Sequence, residues 1–159
     1  MQFRSIIAAI DVDDDLAVGV LKAAQSLAQK DGAGMQVVTV WPPVSAVTPT
    51  FSAEIAASSS VISQAAVEQH RAGRESCQNR LAEIATKHAP GAKPVLLDGD
   101  PADATAEYAL EIGADLIVTG SHQRNFWNTL LQGSASRELV REAPCAVFLV
   151  TKAFASTLT

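Results

Sequence analysis

The chain has 159 residues, with 12 Lys and Arg against 17 Asp and Glu, giving a formal net charge of −5. That length suits one domain, which buries roughly two-thirds of the surface its unfolded chain exposes and folds without disulfide or metal. The acidic balance and the lack of any basic run exclude a nucleic-acid backbone as the main partner. Neither a membrane-spanning stretch nor a signal-peptide pattern occurs, so the protein is expected to be soluble and cytoplasmic with no membrane contact.

Apolar residues make up 48 % of the chain and aromatic residues 5 %, which predicts a core of Ala, Val, Leu and Ile. Residues 5–10 are a continuous apolar run ending at Asp11, the pattern of a strand buried on both faces. Asp13, Asp14 and Asp15 supply caps and negative charge for a following helix. Its inner face carries Ala17, Val20, Leu21, Ala24, Leu27 and Ala28 at helical spacing. Gly32 and Gly34 end it. Residues 35–41 read as a second strand, stopped by Pro42 and Pro43.

Residues 42–60 are rich in Pro, Ser, Thr and Ala and read as a long loop, with a short helical turn at 53–57. Residues 61–88 predict a long helix. Val67, Cys77, Leu81, Ile84 and Ala85 lie on one side, and His70 and Arg74 interrupt the stripe. Residues 94–98 form a third strand. Asp100 then caps a helix with Pro101 in its first position, and Ala102, Ala106, Ala109, Leu110 and Gly113 share its packing face. Residues 115–119 are a fourth strand, 120–132 a loop with a helical turn at 127–131, 134–142 a helix starting at Ser134, and 146–150 a fifth strand. Residues 1–152 are expected to form one domain and 153–159 a tail.

Strands separated by helices pair in parallel through right-handed crossovers. The expected fold is α/β: a single doubly wound domain with a five-stranded, mainly parallel sheet of order 3-2-1-4-5. Ligands of such sheets bind outside the carboxyl ends of the strands where the order reverses. The loops leaving Asp11, Trp41 and Gly120 would meet there.

The common chemical motifs are missing. There is no G-x-x-x-x-G-K-[ST] loop, no G-x-G-x-x-G after a strand and no G-x-S-x-G elbow. His70, His88 and His122 show no ligand or triad spacing. Cys77 and Cys145 form no CxxC and read as two reduced thiols. The most informative stretch runs from Thr119 to Ser134. Gly120 lets a ligand approach bare main chain, and Gly133-Ser134 opens a helix whose unpaired N–H groups would favour an anion. On residue chemistry alone, Ser134 serves equally as an N-cap and Asp11 as a turn-capping carboxylate.

That stretch resembles the signature of the universal stress protein family: a Gly, two residues, a Gly, nine residues, then Gly-Ser or Gly-Thr. Gly120, Gly133 and Ser134 match, and Gln123 stands where the family has glycine. Residues 6–11, 99–102, 113–120 and 143–147 resemble other parts of the family pattern, and only residues 42–60 lack a counterpart.

The resemblance implies an adenine nucleotide alpha hydrolase-like fold and a stress-response regulatory or binding protein that takes up ATP, with Mg²⁺ accompanying it. Asp11 would lie near the ribose or the metal, and the Val40 main chain near the adenine edge. Gly120, Gly133 and Ser134 would meet ribose and phosphates. Gln123 would either obstruct a phosphate or hydrogen-bond it, and His122-Gln123 with Phe126-Trp127 resembles the branch that does not retain ATP. The alternative is therefore a nucleotide-free interaction dimer of the same family. The resemblance also implies a homodimer paired through the last strand. An enzyme is not expected, because no evident base for water attack and no phosphate-loop Lys is present, although slow ATP hydrolysis remains compatible with the family. A phosphorylatable receiver domain is the third reading, on the loose placement of Asp11, Asp13, Asp98, Thr119 and Lys152. The long 42–60 loop and the Gly-Ser helix start stand against it.

Overall fold

The computed structural model describes residues 1–43, 64–121 and 135–158. Strands and helices alternate along the chain: β1 (Ser5–Ala9), α1 (Ala17–Asp31), β2 (Gly34–Trp41), α2 (Gln64–His88), β3 (Lys93–Asp98), α3 (Pro101–Ile112), β4 (Leu116–Gly120), α4 (Ala135–Glu142), β5 (Ala146–Val150) and α5 (Lys152–Ala155). The five strands form one sheet of order β3-β2-β1-β4-β5. All four pairings are parallel, as the helical crossovers between strands require. The expected fold class and strand order are both found. The expected turns at 53–57 and 127–131 lie outside the described residues.

The period-two alternation of β1 divides the core. Ile6, Ala8 and Ile10 point to the layer that holds Val20, Leu21 and Ala24 of α1 and Leu81 and Ala85 of α2. Ile7 and Ala9 point to the opposite layer, with Ala102, Ala106 and Ala109 of α3 and Leu139 of α4. A strand covered on both faces reads as an unbroken apolar run, which is what residues 6–10 are. Leu110, expected on the packing face of α3, is 71 % exposed. It lies about 100° round the helix from Ala109, past the stripe that Ala102, Ala106 and Ala109 lay on the sheet.

Short polar side chains fix the element starts. Asp100 caps α3 by accepting from the Ala102 N–H at 3.0 Å and the Asp103 N–H at 3.4 Å. The acids before α1 act differently from the expected caps. Asp14 accepts from the Leu16 N–H at 2.7 Å, and the residue at the cap, Leu16, makes no side-chain capping bond. Asp14, like Asp11 before it, folds the turn between β1 and α1 instead, bonding main chain two residues ahead. Asp115, just before β4, accepts from the Arg4 N–H at 3.0 Å and the Ser5 N–H at 3.1 Å, which anchors the start of β1.

Gly19 marks the closest packing of α1. A Cβ there would stand 2.6 Å from Ala155 Cβ, so the missing side chain is what lets α5 settle on α1. The Lys22 ammonium adds a bond to the Leu158 carbonyl at 2.9 Å.

α2 is the least apolar of the long helices and buries only Cys77, Leu81 and Ala85. Val67, expected on its inner side, is 48 % exposed. Three polar ties complete its attachment, each to the exit of a different strand. The Trp41 indole N–H donates to His70 Nε2 at 2.8 Å at the end of β2. Arg74 donates to both oxygens of Asp98 at 2.8 and 2.7 Å at the end of β3. Arg80 pairs with Asp13 beyond β1. His70 and Arg74 thus interrupt the apolar stripe because they reach over the carboxyl ends of the strands rather than onto the sheet face.

Two outcomes are expected. Leu81→Ala removes the main apolar anchor of α2 and should cost about 2–5 kcal/mol in urea unfolding. Arg74, through its hydrogen bonds, holds the Asp98 carboxyl below the usual carboxylate range. A depressed carboxylate contributes stability that is present above its unfolded-state pKa and lost as pH falls through its folded-state value. Arg74→Met should therefore be the less stable protein at neutral pH, by less than about 1 kcal/mol for a solvent-screened pair. The deficit should close as pH falls below the ordinary aspartate value of about 3.9. Unfolding midpoints measured across that range check the sign.

Candidate functional site

β1 is the point where the strand order reverses. Its partner on one side is β2 and on the other β4, and the chain leaves all three strands at the same, carboxyl, end. Val40 lies in β2 one residue before its end, and Gly120 ends β4, opposite Val150 of β5. Asp11 follows β1 by two residues. The reversal therefore places Asp11, Val40 and Gly120 on three neighbouring chain segments at one end of the sheet. Gln123, Gly133 and Ser134 lie outside the described residues.

Asp11 is 6 % exposed, unusual for a carboxylate. Its Oδ1 accepts from the Asp13 N–H at 2.9 Å, and its carbonyl accepts from the Asp14 N–H at 3.1 Å. This tight turn holds the carboxylate at the sheet end while the chain reverses into α1. Main chain around it is equally fixed: the Ile10 N–H donates to the Val38 carbonyl at 2.9 Å, and the Ser121 N–H to the Val150 carbonyl at 2.9 Å.

Cys77 of α2 is buried and close enough to feel this carboxylate. Burial pushes its thiol up, Asp11 pushes it further, and Arg74 acts in the opposite direction. A thiol so raised stays protonated and is a poor nucleophile, so Cys77 is a packing residue here. Among the described residues no group of three or more His, Cys, Asp or Glu could hold a metal ion by protein ligands alone. What the arrangement can do is bind: a desolvated acceptor, main chain at two strand ends and a glycine with no side chain to bar approach.

Two features of this end go beyond the expected site residues. Thr39 of β2 and Thr119 of β4 are 2 % and 1 % exposed, so hydroxyls are buried within the last residues of both strands flanking β1. The only available signal was a threonine inside an otherwise aliphatic strand. The Arg80–Asp13 pair brings an arginine to the turn after Asp11, and no spacing rule links residues so far apart. A separate open groove of about 400 Å³ lies between α1 and α5, lined in part by Asp15, Gly19, Lys22 and Lys152. None of the candidate site residues lines it.

Among the described residues, no helix is long and apolar enough to cross a membrane. Similarity to known proteins spans nearly the whole chain. The model of the universal stress protein family matches residues 2–151. The "universal stress protein in QAH/OAS sulfhydrylase 3′ region" of Thermus aquaticus is 32 % identical over 148 residues, covering 93 % of this chain and 98 % of that one. The structure of UspA from Lactobacillus plantarum superposes with a TM-score of 0.65 at 22 % identity, covering 94 % of this chain and 99 % of that one. A universal stress protein from Archaeoglobus fulgidus, solved in complex with dAMP, gives 0.57 at 21 % identity, covering 94 % and 98 %. With its parallel sheet of order 3-2-1-4-5, its turn at Asp11 and a family match over all but a few residues, the chain belongs to the universal stress protein family.

Proposed function

We propose that the protein is a stress-response binding module that takes an adenine nucleotide at the carboxyl end of its sheet, without a catalytic centre of its own. The observation that carries this reading is the buried Asp11 carboxylate at the strand-order reversal, where doubly wound sheets bind their ligands. The dAMP complex of the Archaeoglobus fulgidus relative supports it. In this reading Asp11 accepts from a ribose hydroxyl or holds the Mg²⁺ that accompanies ATP, and the Val40 main chain meets the adenine edge. Gly120 lets the ribose sit on bare main chain. Gly133 and Ser134 serve the phosphates through helix-start N–H groups, and the Gln123 amide hydrogen-bonds one. Gln123 in place of glycine favours a second reading, a nucleotide-free dimer of the same family.

The dimer in either reading forms through β5, in the cytoplasm. This strand is a sheet edge, and Phe148 and Leu149 are 37 % and 41 % exposed on it. Phe154 of α5 sets its ring against Phe148 at 5.8 Å between centroids, extending the apolar surface beside the unpaired edge. An exposed apolar edge invites pairing with a second copy.

The two readings separate on one substitution. Asp11→Asn keeps an oxygen that accepts from the Asp13 N–H but loses the charge. If Asp11 binds the nucleotide, ATP with Mg²⁺ should raise the melting temperature of the native chain, and the variant should bind about tenfold more weakly or worse, the loss expected for a charged hydrogen bond. Equal affinity in both would leave Asp11 a turn residue, and no shift in either would favour the nucleotide-free module. For the dimer, light scattering should return about twice the 16.7 kDa chain mass, and Leu149→Lys should return the mass of one chain.

A further inference from the structure

His70 occupies a position that a single protonation state cannot satisfy. Its Nε2 lies 2.8 Å from the Trp41 indole nitrogen, which can only donate. The same Nε2 lies 3.0 Å from the Pro42 carbonyl oxygen, which can only accept. With a lone pair on Nε2 the ring accepts from Trp41. With a proton on Nε2 it donates to Pro42, and two N–H groups then face each other across the former bond. The alternatives exclude one another at one atom, and both partners sit where the chain leaves β2.

The surroundings make that choice matter. The Trp41 ring rests in a notch on α2 made by Gly73, where a Cβ would stand 2.9 Å from the indole Cη2. The indole is thus held by a shape fit and one hydrogen bond, with its centroid 5.3 Å from that of His70. Several charges face the imidazole. Asp98, from the end of β3, attracts a positive ring, and the same interaction is among the causes that lower its own carboxyl. Arg74, one turn along α2, opposes a positive ring while engaged bidentately by Asp98. Arg71 stands beside His70 on the same helix, with its own partner Glu68.

We propose that His70 is a proton-operated latch on the end of β2. In the closed state the ring carries its proton on Nδ1 and accepts the Trp41 N–H, which ties the last residue of the strand to α2. A proton taken from solvent at Nε2 gives the imidazolium, which turns its new N–H to the Pro42 carbonyl. The indole keeps its own proton, loses its acceptor and faces a donor, so it leaves the notch over Gly73. Histidine is the side chain suited to such a change near physiological pH. Trp41 follows Val40 directly and is paired in register with Asp98, so the latch sets the order of the strand end on which the candidate site is built. It operates with or without a ligand there.

The test needs no nucleotide. The chain has two tryptophans, Trp41 and Trp127, so ¹⁵N-labelled protein carrying Trp127→Phe gives one indole N–H resonance. That resonance should move upfield as pH is lowered from about 8 to about 5, in step with the His70 ring signals, and return when pH is raised. In His70→Gln the amide oxygen can accept from the indole while the amide N–H donates to Pro42, so the resonance should hold its high-pH position throughout. A flat trace in the chain with His70 overturns the proposal, and so does equal movement in His70→Gln. Should that variant fail to fold, the two-bond ¹H–¹⁵N spectrum of the His70 ring decides. At high pH Nε2 should be unprotonated, and a proton found there instead overturns the latch.

Discussion

The structure depends on one constraint, the double burial of β1. Ile6, Ile7, Ala8 and Ile10 are fully shielded from solvent, which is achieved only when helices cover both faces and strands flank both edges. With β2 on one side and β4 on the other, the first crossover must run one way along the sheet and a later one the other way. The reversal at the carboxyl end follows directly from that arrangement. The placement of Asp11 at the order reversal is thus a product of core formation.

The helix that packs on β2 and β3 is attached by different physics. α2 buries few apolar side chains and is tied at intervals by His70, Arg74 and Arg80 to the exits of three strands. Apolar burial is non-directional, whereas hydrogen bonds and ion pairs fix distance and orientation. The sheet supplies stability, and the polar ties set the position of α2 over the strand exits.

Most of the fold was legible in the sequence because the elements announce themselves locally. Apolar runs bounded by Gly, Pro and Asp marked the strands, and Asp100-Pro101 marked the start of α3 through capping chemistry confined to neighbouring residues. Pro94 reads as a breaker in a central strand, yet it sits without conflict in β3, a sheet edge. The failures were of a different kind. Leu110 followed the right periodicity but lies just beyond the contact stripe, and Val67 sits on the first turn of α2, ahead of the half that carries its buried residues. Asp13 looked like a helix-start charge, but its partner is Arg80, and nothing in either residue's neighbourhood names the other. Asp11, Val40 and Gly120 could be placed at one end because topology alone decides that. The roles assigned to Gln123, Gly133 and Ser134 rested on family pattern, and those residues lie outside the described part of the chain.

The grip of Asp115 on the N–H groups of Arg4 and Ser5 joins positions 111 and 110 residues apart in the chain. The central strand therefore acquires its second neighbour only after more than two-thirds of the polypeptide exists. Long-range parallel pairing of this kind must close a large loop before any contact rewards it, which slows folding. During synthesis the β1–β2 half emerges first with one flank of its most apolar strand uncovered. Until β4 arrives, that apolar flank has no strand against it, and such transiently open strand edges are where mispairing begins.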